Sequence, residues 1–350
     1  MHEIFGERFM SLRQPAWHGL GLVTKEEMNA RQALAQIGGD LNVRLHPNFT
    51  LIEGELVELP GRSIVREPVL DDPEHVVLGQ VGAEYNLVTP GEIADIWDAR
   101  VGKPIETMGV LRRGALFFCT TRLPTLDIKG DEVERYLGVC SPMDGQRTAS
   151  AEEWDLRVVC SNTLRAAQAQ ARVAYRVVHD AGAKERLGVW LQDAYQTAEM
   201  NYETVKEVFT LLAERRVHES AALSVIRRAY PEPRLPRRNA PDDVMEVRAE
   251  RFERAQVRVR RRRETALELF KGDGTGMNSP AAKGTLWGLY NAITETECYR
   301  KGSMQGGLEA EAARTAEDTL FGRRAETMER AFAACLTVAE DRADFDPSLN

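Results

Sequence analysis

The hydrophobic period changes once along this chain, near Lys184, and that change restricts the fold more than any single motif. Before it, short apolar runs of strand length alternate with turn residues; after it, apolar residues recur every three or four positions. Strands in one half and helices in the other predict an α+β fold, not repeated βαβ units. The expected division is a mostly antiparallel sheet with short helices over 1–183, and a helical region over 184–350 with a long basic helix.

Within the first half the strand-like runs are "LNVRL", "FTLIEG", "RSIVRE", "VVLGQVG" and "YNLVTP". Hairpins are expected to turn near Arg113-Gly114 and at Asp144-Gly145. Thr24 with Glu27 reads as a capping box for a short helix carrying Met28, Ala33, Leu34 and Ile37 and ending at Gly38-Gly39. A second short helix fits "PGEIADIWDARVG", with Pro90 in its first turn. The stretch "RVVCSNTLRAA" reads as a strand entering a helix with Asn162 as N-cap, the chain returning to strand at "AYRVVHD".

In the second half, Leu187, Leu191, Ala194, Ala198, Val205, Val208, Leu211 and Leu212 suit one buried stripe. A shorter helix, "HESAALSVIRRAY", follows. Four prolines in "PEPRLPRRNAPDD" make 231–241 a linker. Asp242 or Asp243 caps the long helix, which stops at Gly272. The loop "GDGTGMNSPAAKGT" lacks the G-x-x-x-x-G-K-[ST] phosphate-binding pattern, and Thr285 is its natural cap for "TLWGLYNAITETECYR". A last helix covers "ARTAEDTLFGRRAETMERAFAACLTVAEDR".

Several function classes fall away. No apolar run approaches the roughly 20 residues of a membrane span, and "MHEIFGERFMSLRQPAWHG" lacks the pattern of a signal peptide. The expected setting is therefore the cytoplasm. Five cysteines (119, 140, 160, 298, 335) contain no C-x-x-C, and six histidines never fall at H-x-x-x-H spacing. No metal or cofactor site is expected from them.

Charge is more telling. The formal net charge is −8, yet Arg227 to Arg263 holds 13 arginines and 6 acids, a local +7 that leaves −15 for the rest. Arg248, Arg251, Arg254, Arg258 and Arg262 advance by three or four residues and form a stripe on a helix, widened by Arg260, Arg261 and Arg263. Glu246, Glu250, Glu253 and Glu264 interleave with them and offset part of that charge. Arg165, Arg172 and Arg176 share a helical face if the helix after Asn162 persists. Trp17 in "PAWHGLG" and Tyr175 are the candidate base-stacking aromatics.

Four segments in this order, "MHEIFGERFMSLRQPAWHGLG", "RVVCSNTLRAA" with "YRVVH", "GTLWGLYNAITETE" and "TLFGRRAETMERAFAAC", resemble the phage/plasmid-like protein family of unknown function along nearly the whole chain. Where that family tends to read "TEY" followed by "DH", this chain has Thr294-Glu295-Thr296-Glu297-Cys298. A base or metal role for that histidine therefore does not carry over. The resemblance implies a role in mobile-element DNA biology.

The functional expectation is a non-catalytic single-stranded DNA-binding protein, homo-oligomeric as a ring or filament, that promotes strand annealing in recombination. Its site residues are Arg165, Arg172, Arg176, Arg251, Arg254, Arg258, Arg261, Arg262, Trp17 and Tyr175. The alternatives are a nucleic-acid-processing enzyme using Cys160 and His179, or a protein that binds a host factor through its acidic surface.

Overall fold

A computed structural model of the chain describes residues 4–13, 21–146, 148–157, 162–164, 174–235, 242–298 and 323–340. The fold is α+β, with sheets and short helices first and a helical region after them.

Strands β1 (Ile4–Leu12), β2 (Leu22–Thr24), β6 (Thr107–Leu111), β7 (Leu116–Ile128), β8 (Asp131–Pro142), β9 (Ala149–Arg157), β10 (Asn162–Leu164) and β11 (Ala174–Val177) form one large sheet. Its order is β10-β9-β8-β7-β6-β1-β2, with β11 also on β9. Among the described residues only the β1–β2 pair of this sheet is parallel. Strands β3 (Val43–Ile52), β4 (Glu55–Arg66) and β5 (Val76–Val81) form a second, antiparallel sheet.

Turn chemistry explains the hairpins. Glu53-Gly54 and Lys129-Gly130 each supply two consecutive residues at positive φ, the geometry that closes a two-residue hairpin without splaying its strands. Strands β6 and β7 join through Arg112–Gly114, at the expected position, and β8 and β9 join across Asp144-Gly145, also as expected.

Helices α1 (Ala30–Gln36), α2 (Pro90–Arg100) and α3 (Ala183–Met200) cover one face of the large sheet. That core includes Met10, Met108, Val110, Phe117, Cys119, Leu137 and Val139 from the strands and Leu34, Ile93, Trp97, Leu187 and Leu191 from the helices. A second core joins α4 (Tyr202–Glu214), α5 (Glu219–Ala229), α7 (Leu286–Cys298) and α8 (Arg323–Glu340) to Leu126, Ile128 and Val133, where β7 turns into β8. Phe209 lies 5.0 Å from Trp287 and edge-on to Phe332 at 6.0 Å. The Trp287 indole donates to Asp131 Oδ2 (2.8 Å), which ties the helices to the sheet.

Four local expectations need correction. The first capping box is Asn29 with Gln32, not Thr24 with Glu27. Asp98 accepts from the backbone N–H groups of Ala30 (2.7 Å) and Arg31 (3.0 Å), so α2 supplies the anion that fixes where α1 begins. The run "YNLVTP" forms no strand; it leads into α2, whose N-cap is Thr89. Asn162 is no helix cap, because Asn162–Leu164 pairs antiparallel with β9. The stripe from Leu187 to Leu212 is divided between α3 and α4 by a break at Asn201, whose ψ of 4° leaves the helical region.

Candidate functional site

The long basic helix is α6, Asp242–Glu268, 27 residues free of proline and glycine. Arginine, glutamate and alanine are all good helix formers, and at 1.5 Å per residue it extends about 40 Å. Met245, Arg248, Phe252, Ala255, Val259, Arg262 and Ala266 recur at alternating spacings of three and four, which makes one seam. The C-terminal end of this seam meets the second core, through Val259 and the buried Ala266.

The "RRRR" run, Arg260 to Arg263, divides in two. Arg263 donates to the Tyr230 carbonyl oxygen from Nε (3.0 Å) and Nη2 (2.6 Å), and Nη1 reaches Glu232 (2.5 Å). Tyr230 is the C-cap residue of α5, so this guanidinium caps an orphan carbonyl at the negative end of that helix. Arg262 leans over the Tyr230 ring (6.0 Å), with its Nε 3.7 Å from the buried Glu297 carboxylate. Burial and the Glu297 charge push the Tyr230 phenol well above its usual range.

Arg251, Arg258, Arg260 and Arg261 are exposed, with no ion pair among the described residues. Arg254 pairs with Glu250 one turn back (2.9 Å), both side chains largely exposed; such pairs contribute a few tenths of a kcal/mol. Helical phase places Arg251, Arg254, Arg258 and Arg261 within an arc of roughly 80°. The acids Glu246, Glu250, Glu253 and Glu264 fall in an adjoining arc of roughly 60°. Four residues after Glu246 and Glu253 stand Glu250 and Val257, so neither finds an arginine one turn on, while Glu264 stands at helical spacing from Arg260 and Arg261 without an ion pair among the described residues.

Arg165, Arg172, Trp17 and Cys160 lie outside the described residues. Arg176 is exposed but sits on β11 opposite Ser150, so no helical face carries it. Tyr175 is half-buried against the first core, its ring 5.9 Å from Trp190; it is a packing aromatic. Arg262 is drawn inward toward Glu297 and Tyr230, away from the open stripe.

His179 is buried, stacked on Tyr85 at 4.9 Å, with Nδ1 3.2 Å from the Asn86 carbonyl oxygen. Desolvation lowers its pKa, which keeps the ring neutral. Asp180 faces away and pairs with Arg186 (2.5 Å). Cys119, Cys140, Cys298 and Cys335 are buried, and burial raises the thiols of Cys119 and Cys335. Among the described residues no group of three or more histidine, cysteine or acidic side chains is arranged to hold a metal ion. No helix of the described residues is long and apolar enough to cross a membrane.

One ionic cluster escaped the sequence reading. The turn after β4 inserts Asp71 and Asp72 among Arg8, Arg66 and Arg113: Arg8 grips Asp71 with two bonds of 2.6 Å, and Arg66 (2.6 Å) and Arg113 (2.9, 2.7 and 2.6 Å) grip Asp72. Hydrogen bonds from Arg8 and Arg113 hold both carboxyls below their usual range. The acidic "LDDPEH" was its only trace in the sequence, and the cluster clamps the small sheet to the large one. Against known families, residues 77–328 match a domain described as Domain of unknown function (DUF932). No curated protein and no solved structure matches the chain.

Proposed function

The chain belongs to the DUF932 family, a domain of unknown function, and we propose that this member binds single-stranded DNA and promotes strand annealing without catalytic chemistry. The observation that carries the reading is the open stripe of Arg251, Arg254, Arg258 and Arg261 on α6, of which only Arg254 is offset by a carboxylate on its own helix. Guanidinium groups in a row fit the phosphates of a flexible strand, because each contact releases condensed counterions and requires no particular base. The stripe rises about 15 Å from Arg251 to Arg261, at 1.5 Å per residue. In this reading the protein assembles as a ring or filament along the strand, and phage or plasmid recombination in the bacterial cytoplasm is its setting.

The test is fluorescence anisotropy of the full chain with a labelled oligo-dT across a salt series. Four phosphate contacts at about −0.7 each give a log–log slope near −3, roughly a fiftyfold loss of affinity between 50 and 200 mM salt. The R251Q/R254Q/R258Q/R261Q variant should lose most of this slope while melting at the same temperature. Absence of binding at 50 mM salt, or an unchanged slope in the variant, overturns the proposal.

A further inference from the structure

Between Asn48 and Leu59 the β3–β4 hairpin runs out beyond β5, which pairs only with Arg62–Arg66. On this arm Phe49, Leu51, Ile52, Leu56, Val57 and Leu59 are 52, 67, 55, 73, 40 and 41% exposed. Strand alternation and register put Phe49, Leu51 and Leu56 on one face and Ile52, Val57 and Leu59 on the other. Neither face is turned into a core. A two-stranded ribbon in water is marginal on its own, and this one is apolar on both sides.

Its edge is bare as well. β3 is an outer strand of its sheet among the described residues. Pro47 and the register shift at Pro47/Asn48 guard only the base of the arm. From Asn48 to Leu59 there is no proline, lysine or arginine, the residues that usually blunt an exposed edge.

We propose that this arm is a self-association element, pairing antiparallel and edge to edge along β3 with the same arm of a second copy of the chain. Three observations select that occupant. A free strand edge is matched in hydrogen-bonding pattern by another strand edge. Open apolar surface lies on both faces of the arm, so edge pairing sets Phe49 and Leu51 on one face and Ile52 on the other beside the second copy's side chains.

Charge supplies the third. The tip is acidic at Glu53 and Glu55, whereas the base carries exposed Arg44, which donates to Asn42 Oδ1 (2.8 Å) and has no ion pair among the described residues. Antiparallel pairing over Asn48–Glu53 points each acidic tip toward the other copy's cationic base, where Arg44 stands four residues beyond Asn48. Glu53, Glu55 and Glu58 repel a polyanion, so nucleic acid does not suit this surface, and the inference stands independently of the DNA-binding proposal.

Sedimentation and light scattering of the full chain without nucleic acid test it. The wild-type protein should run at twice 39.2 kDa, and L51E/L56E at the monomer mass with an unchanged circular dichroism spectrum. R44E and E55R should each weaken the dimer at least tenfold, and R44E/E55R should restore it. The charge series alters only exposed side chains, so it decides the matter if L51E/L56E misfolds. A monomeric wild-type protein, an arm-dependent assembly larger than a dimer, or no recovery in the double variant overturns the proposal.

Discussion

Neighbouring arginines of one run should behave as different kinds of residue. Arg263→Ala removes both hydrogen bonds to the Tyr230 carbonyl oxygen, and Tyr230 is 2% exposed, so water does not readily replace them. A hydrogen bond to a charged group contributes about 1.5–3 kcal/mol, and a carbonyl left buried costs about 1–3 kcal/mol. These overlap as one loss, and the exposed Glu232 partner adds at most about 0.5–1 kcal/mol. The expected destabilisation is therefore about 2–3 kcal/mol, a fall in Tm of roughly 4–6 °C for a large domain. Arg261→Ala, on the solvent side, should stay within about 0.5 kcal/mol of wild type. With oligo-dT the assignment reverses: Arg261→Ala should lower the salt slope by about 0.7, and Arg263→Ala should leave it unchanged below its melting temperature. Differential scanning fluorimetry and anisotropy read the two effects separately. Equal Tm losses at the two positions refute the division of the run into an anchored and an open pair.

Two further outcomes follow from buried groups. Burial holds the His179 pKa below its ordinary value of about 6.5, so on acidification the unfolded chain takes up a proton before the folded one. Stability from this group is complete above about pH 6.5 and declines as pH falls below it; His179→Phe, which keeps a ring on Tyr85, should flatten Tm against pH between 7 and 5, and parallel curves contradict the assignment. Gly288 lies so close to the preceding turn that a Cβ would run into the Ala282 carbonyl. Gly288→Ala should cost about 2–3 kcal/mol by overpacking, measured as a lower urea midpoint, and a wild-type midpoint rules out that close approach.

What the sequence made legible was whatever local chemistry decides. Pro90 in the first turn of α2 and the Thr285 hydroxyl that accepts from the Gly288 N–H (3.1 Å) both sit where spacing predicts. The hairpin turns at Arg112–Gly114 and Asp144-Gly145 were readable for the same reason. What stayed hidden depends on residues distant in sequence. The start of α1 is set by Asp98, 67 and 68 residues on. The Asp71–Asp72 turn acquires meaning only when β1, β4 and the β6–β7 turn bring three arginines to it. Tyr175 looked like a free aromatic because nothing near it in sequence announces Trp190.

The same distinction bears on the arginine run itself. Four consecutive cations exceed what glutamates one turn away can pair, and an excess of this kind suits a polyanion. Part of it is absorbed at long range, by the α5 carbonyl end and by Glu297. A backbone carbonyl accepts a hydrogen bond without cancelling a full charge, and the one carboxylate on Arg263 is exposed. Between Arg251 and Arg263 there are seven arginines against one glutamate, while Asp242, Asp243 and Glu246 occupy the opposite end of α6. The acidic start suits the helix dipole and stabilises the helix whatever it binds, whereas the last turn of α6 carries no cation. Helix stabilisation alone, however, requires cations only in the last turn, within which the effect decays. Arg251, Arg254 and Arg258 stand roughly three to five turns before Glu268, so the dipole does not account for them, and their solvent-facing positions are the part of the charge pattern on which the DNA-binding proposal rests.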